Sequence, residues 1–190
     1  MMNKLFNKIL TTIDKYSSGK NVLIFFTAAI IVYFVMLFVT IPNVMNYANG
    51  MELFDLQPTG YSAEYAKALL DTLGSEGRQA YLYYQIPLDM VYPLLFALTY
   101  SLMLFYLFKK ILKTNSKLFA LSIVPLIAGF FDYLENIGII IMLVMYPGFS
   151  TITANVTNIF SILKSFSTTL FFLIVLSAIG GLIYKKLLKK

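Results

Sequence analysis

The chain has 190 residues, of which 59% are hydrophobic and 13% charged, with a net charge of +6. A soluble domain is about 45–50% apolar and about 25% charged, and one of this size could not bury so much apolar surface. With no Cys and no His, thiol chemistry, disulfides, Fe–S clusters, haem and the usual zinc and copper ligand sets are excluded, together with the standard near-neutral general base.

Residues 3–16 place Leu5, Phe6, Ile9, Leu10, Ile13 and Tyr16 on one helical face, flanked by Lys4, Lys8 and Lys15. This pattern predicts an amphipathic helix lying on the membrane interface, with recognition of a partner as the other reading. Ser17-Ser18-Gly19 interrupts it. Residues 1–20 therefore form an interfacial segment, and 21–190 a single membrane domain.

Four apolar runs in that domain can each cross about 30 Å of hydrocarbon: 21–42, 83–108, 118–146 and 157–184. The first is too long for a signal-peptide core and has no small-residue cleavage site after it, so it reads as a retained signal anchor. Its polar interior residues are only Thr27, Tyr33 and Thr40, so it is expected to face lipid or a partner subunit more than it faces a polar site.

Between the first two spans, Pro58-Thr59-Gly60 predicts a turn. Ser62 is a plausible N-cap, Glu64 falls in the first turn, and Tyr65, Ala66, Leu69, Leu70 and Leu73 form an apolar stripe ending at Gly74. A second helix starting at Ser75 would run into the second span. This loop helix packs over the bundle mouth or acts as a lid. Asn155-Val-Thr157 is a glycosylation sequon close to the membrane, without meaning in a bacterium.

The lysines set the orientation. Lys4, Lys8, Lys15 and Lys20, then Lys109, Lys110, Lys113 and Lys117, then Lys185, Lys186, Lys189 and Lys190 all fall on one side of a four-span chain. The loop at 43–80 balances Lys67 and Arg78 against Glu52, Asp55, Glu64, Asp71 and Glu76. The positive-inside rule puts both termini in the cytoplasm. The C-terminal lysines are expected to meet anionic headgroups.

Four ionisable residues remain at membrane depth: Asp89, Asp132, Glu135 and Lys164. Each is a functional-site hypothesis, because a charge at a helix centre costs roughly 2.5–3.5 kcal/mol. Asp132, Glu135 and Asn136 share one face of the third span at i, i+3 and i+4, near Gly129. Arg78, Leu82, Gln85, Asp89, Tyr92 and Phe96 follow one stripe along the second. Pro87 and Pro93 bracket Asp89, and each can free a backbone carbonyl one turn back. Asn158, Ser161, Lys164, Ser165 and Thr168 make a polar face on the fourth. Asp89, Glu135 and Lys164 lie about 9 to 17 Å down from the outer surface at 1.5 Å per residue, and Asp132 a turn deeper.

The expected fold is therefore all-α: a four-helix transmembrane bundle with an N-terminal interfacial helix and a short helix in the first outer loop. Lys164 is expected to pair with Asp89 or Glu135, and at least one carboxyl, with Asp132 the first candidate, to be held protonated by desolvation and like charge. The candidate catalytic residues are Asp132, Glu135, Lys164 and Asp89. Arg78, Gln85, Tyr92, Asn136, Ser161 and Ser165 are the candidate ligand-binding residues, with Arg78 receiving a phosphate or carboxylate near the surface. No metal and no cofactor is expected. The expected partners are membrane lipids and a small amphipathic ligand, with a homo-oligomer or a membrane partner left open and nucleic acid excluded. Binding and transformation of the ligand both stay open, and proton transfer or isomerisation suits the residues better than Ser–His hydrolysis. A proton- or cation-coupled transport component and a structural or assembly subunit are the alternatives. The absence of an internal repeat weighs against an inverted-repeat transporter. Nucleotide-binding fingerprints and the paired acidic motif of CDP-alcohol phosphotransferases are missing.

The segments Glu76-Gly-Arg-Gln-Ala-Tyr-Leu, Pro87-Leu-Asp-Met-Val-Tyr-Pro-Leu-Leu and Phe131-Asp-Tyr-Leu-Glu-Asn resemble those of an uncharacterised bacterial family of small four-span integral membrane proteins. The resemblance covers nearly the whole chain and implies a bacterial plasma membrane, but no activity. The architecture, with Asp89 followed by Pro93, is also faintly similar to the EXPERA group of emopamil-binding sterol isomerases and the sigma-2 receptor. Asp132-x-x-Glu135-Asn136 and Lys164 depart from that pattern.

Overall fold

In the computed structural model, residues 2–113 and 116–188 are described; Lys189 and Lys190, counted above with the C-terminal lysines, lie outside the described residues. The described residues hold helices and no strands: α1 (Met2–Tyr16), α2 (Gly19–Val35), α3 (Ile41–Met45), α4 (Ala63–Ala80), α5 (Ile86–Ile111), α6 (Val124–Met145) and α7 (Thr151–Leu187). Four stretches are long and apolar enough to span a membrane: Gly19–Met45, the part of Ala63–Ile111 that contains α5, Lys117–Met145 and α7. The chain is a multi-pass membrane protein built as an all-α bundle. Its outward side chains fit that solvent: Leu23, Phe38 and Phe166 are each about two-thirds exposed, a surface that lipid covers and water would not.

Helix starts follow the chemistry of their caps. Ser18 Oγ accepts from Asn21 N at 3.2 Å, Ser62 Oγ from Tyr65 N at 3.1 Å, and Ser150 Oγ from Thr153 N at 3.1 Å. Each satisfies one of the amide groups that a helix start leaves without a partner. The Ser150 cap starts α7 six residues before the expected 157. The apolar run begins late, while the helix begins where a hydroxyl can cap it.

Two helices widen by one residue just before a proline. Ile41 N bonds Met36 O, and Ile86 N bonds Tyr81 O, so Met36–Thr40 and Tyr81–Gln85 are π-helical turns preceding Pro42 and Pro87. Proline cannot donate to the carbonyl one turn back, and its ring crowds it. An extra residue in the turn absorbs both problems, and such turns recur at functional sites. Here the two face each other: Thr40 Oγ1 donates to Gln85 Oε1 at 2.5 Å.

The segment between the first two spans is a packed cap. Leu53 and Phe54 are fully buried, as are Ala66, Leu69 and Leu70 of α4, against Ile139 and Met142 of α6. Phe54 lies 4.8 Å from the Tyr61 ring and 6.1 Å from Tyr81. α4 breaks at Gly74, whose φ of 61° lies in the left-handed region that glycine adopts without strain. Helix resumes at Ser75 and continues into α5, as its sequence predicts.

At the lysine-rich end, α1 docks part of its apolar face. Ile13 is buried against Leu102 and Phe105, with Ile9 and Leu10 beside it. Asp14 pairs with Lys109 at 2.5 Å. Leu5 and Phe6 stay exposed.

Candidate functional site

On α6, Asp132, Glu135 and Asn136 do share one buried face. The neighbouring glycines let other helices approach it. A Cβ on Gly129 would stand 2.8 Å from the Pro93 carbonyl oxygen of α5, and one on Gly138 would run into the Thr157 side chain of α7. Small residues at such positions bring backbones close enough for polar side chains to meet.

Lys164 of α7 meets that face. Its ammonium contacts Glu135 Oε2 and lies 3.6 Å from Asp132 Oδ1. Ser161, one turn earlier, donates to Glu135 Oε1. Glu135 is completely buried, with a cation on one oxygen and a hydroxyl on the other, as a buried carboxylate requires. Of the two partners expected for Lys164, Glu135 is therefore the one it takes, with Asp132 as the second acid.

Asp89 of α5 sits apart from that ion pair. It is 4% exposed, and its Oδ2 has no hydrogen-bond partner. Its backbone is tied down by another route. Pro93 cannot donate to the Asp89 carbonyl, and Asn136 Nδ2 does so instead at 2.6 Å. The proline thus frees a carbonyl that a side chain of the neighbouring helix claims.

Between α2, α5, α6 and α7 lies a half-open cavity of about 450 Å³. Asp89, Gln85, Tyr92, Asp132, Lys164 and Thr168 line it, and Ala29, Tyr33 and Met36 supply the wall from the first span. The first span thus faces outward more than it faces the site, as expected, and still contributes to the site's wall. Most of its surface does face outward, but Ala29 and Met36 are buried against the cavity. Of Ala29, Tyr33 and Met36, only Tyr33 carries a polar group, so a search for polar residues gives the wall little weight.

The structure separates the other sequence candidates. Glu135, Asn136 and Ser161 are buried behind the wall and hold the helices together. Ser165 is half-buried and does not line the cavity. Arg78 is not at the cavity: Nη1 donates to the Leu70 carbonyl at 2.7 Å, and the guanidinium lies 3.8 Å from the Tyr146 ring centre. The helix break at Gly74 leaves carbonyls without partners, and Arg78 claims one of them. These contacts hold its guanidinium outside the cavity's lining.

Sequence reasoning missed Asp55. It stands in the cap between buried Phe54 and Leu56, lines the cavity, and accepts from the Tyr81 hydroxyl at 2.8 Å on Oδ2. Its Oδ1 is buried without a partner. The hint in the sequence is an acid embedded in the apolar run Leu53-Phe54-Asp55-Leu56. Tyr61 lies close by. Its backbone N–H donates to Asn158 Oδ1 at 2.7 Å, linking the cap to α7. Burial, with the negative fields of Glu135 and Asp55, pushes its hydroxyl far above the usual tyrosine range.

Comparison with family models, curated proteins and solved structures finds no match to this chain.

Proposed function

We propose that this protein binds a small amphipathic, lipid-like ligand within the membrane, with the polar end of the ligand held in the cavity between α2, α5, α6 and α7. One observation carries the reading. Asp89, Asp132 and Lys164, from three different helices, face a void whose remaining walls are largely apolar and aromatic. About 300–1,000 Å³ with a few convergent polar groups is the usual form of a small-molecule site. Side chains serving only as helix contacts would be enclosed in a seam, as Glu135 and Ser161 are.

The test is native mass spectrometry of protein released from neutral detergent. Wild type is expected to carry a co-purified amphiphile that is reduced at least fivefold in Asp132→Asn and Asp89→Asn. Its absence from wild type and variants alike would overturn the reading.

Proton- or cation-coupled transport is the competing reading, favoured by unpartnered Asp89 and Asp55 beside an ion pair at membrane depth. It predicts proton flux in proteoliposomes that Asp132→Asn abolishes. In both readings the lysine distribution argues for termini on the cytoplasmic face, and the resemblance to the bacterial four-span family for a bacterial plasma membrane. Because the chain has no native cysteine, single cysteines at Lys8 and Thr59 report this directly. Only the Thr59→Cys variant is expected to react with an impermeant maleimide on intact cells.

A further inference from the structure

We infer that the ligand of this cavity is an organic cation: an amine or quaternary ammonium group carried on an apolar body. The inference rests on the cavity being a ligand site and adds the sign of the ligand's charge.

The charges at hand decide that sign. Arg78, the expected receptor for an anion, is committed to Leu70 and Tyr146. The Lys164 ammonium is committed to Glu135, with Asp132 at 3.6 Å. On the cavity wall this leaves Asp89, 4% exposed with Oδ2 unpartnered, and Asp55, with Oδ1 buried and unpartnered. An anion brought here would meet two free carboxyl groups and one ammonium already shared by two acids. A cation would relieve the imbalance that makes buried unpaired acids costly.

The apolar wall points the same way. Tyr33, Tyr92, Phe96 and Tyr100 line the cavity as one aromatic chain, with ring centres 5.8 Å apart for Tyr33–Tyr92, 6.0 Å for Tyr92–Phe96 and 4.7 Å for Phe96–Tyr100. Aromatic faces attract ammonium groups, most strongly where water is excluded. They offer nothing to a metal ion that must replace its water ligands with oxygen. Among the described residues, no three acids stand close enough to chelate one. Gln85 Nε2, buried and unpartnered on the same wall, is free to donate to a carbonyl or hydroxyl on the ligand's body.

The experiment offers the purified full chain equimolar dodecyltrimethylammonium, dodecyl phosphate and dodecanol in neutral detergent, and reads bound adducts by native mass spectrometry. The ammonium adduct is expected at tenfold or greater excess over the other two. It should fall at least fivefold in Asp89→Asn and in Tyr92→Leu, and stay unchanged in Asp14→Asn. Should Asp89→Asn fail to elute as folded protein, Tyr33→Leu carries the test, with the same expected loss. Equal or stronger retention of dodecyl phosphate would overturn the cation inference while leaving a ligand cavity in place. Three adducts of equal occupancy, unaffected by any variant, would mark adventitious micelle binding and overturn it as well. No adduct at all would remove the cavity reading itself.

Discussion

The α6–α7 seam and the α2–α5 wall both carry polar groups at membrane depth, yet they treat them in opposite ways. In the seam, Gly138 lets Thr157 in, and Glu135 is enclosed with the Ser161 hydroxyl on one carboxylate oxygen and the Lys164 ammonium as countercharge beside the other. Across the cavity, Asp89 is almost as deeply buried, but its Oδ2 has no hydrogen-bond partner and its side chain lines a void. The difference teaches that an intramembrane charge is a functional candidate in proportion to what it lacks. Glu135 and Asp89 look alike in the sequence, and only their partners distinguish a strut from a site.

The largest effect should come from breaking the seam. Lys164→Met leaves Glu135 buried without a countercharge, and breaking a buried pair costs about 3–5 kcal/mol. The midpoint of unfolding in mixed micelles should drop accordingly, and adding Glu135→Gln should recover most of the loss. On the other side, Asp89→Asn removes no partner and should cost less than about 1 kcal/mol, within the range of substitutions that disturb no packing or hydrogen bond. Equal costs for the two would erase the distinction.

Asn136 joins the two regions and comes next. Asn136→Leu strands the Asp89 carbonyl, at about 1–3 kcal/mol for an orphaned buried acceptor. Pro93→Ala in that background restores a backbone donor and should return part of the loss. Additive costs in this double-mutant cycle would show that Asn136 acts by packing alone.

Glycines sharpen the contrast through space rather than charge. A Cβ on Gly138 would meet the Thr157 Cβ at 2.8 Å, whereas one on Gly180, further along α7, meets nothing within 4 Å. Gly138→Ala should therefore destabilise by about 1–3 kcal/mol through overpacking. Gly180→Ala should stabilise by about 0.5–1 kcal/mol through helix propensity. Thermal melts of the two variants check both signs.

Legibility followed the range of the interaction. Asp132, Glu135 and Asn136 could be placed on one face because i, i+3 and i+4 is a local rule. Ser62, Gly74 and the continuation from Ser75 were readable because caps and left-handed stops are local too. Pro93 announced a freed carbonyl, and the helix opposite supplied a side chain that claims it. What escaped depended on distant parts of the chain. Asp55 looks like one more loop acid until Phe54 is buried beside it. Arg78 continues the stripe of Gln85 and Asp89 on a regular helix, but the break at Gly74 gives it a nearer acceptor. The first span gave little sign of the cavity because its wall there includes Ala29 and Met36, which carry no polar group, beside Tyr33, whose ring packs on Tyr92.

The smallest effect belongs to the other lysine–acid pair. Lys109 and Asp14 stand 2.5 Å apart, a geometry as favourable as that of Lys164 and Glu135, but their side chains are 40% and 55% exposed. Water and salt screen such a pair, and exposed pairs yield about 0–1 kcal/mol. Lys109→Met should therefore shift unfolding by less than 1 kcal/mol, with the shift fading as salt is raised to about 1 M, where the screening length is near 3 Å. The hold of α1 on the bundle then rests on Ile13 against Leu102 and Phe105. Trypsin cleavage after Lys15 and Lys20, followed over time, separates the two contributions: Ile13→Ala should accelerate it markedly and Lys109→Met hardly at all. A large effect of Lys109→Met at high salt would mean that this surface pair is as enclosed as the one in the seam.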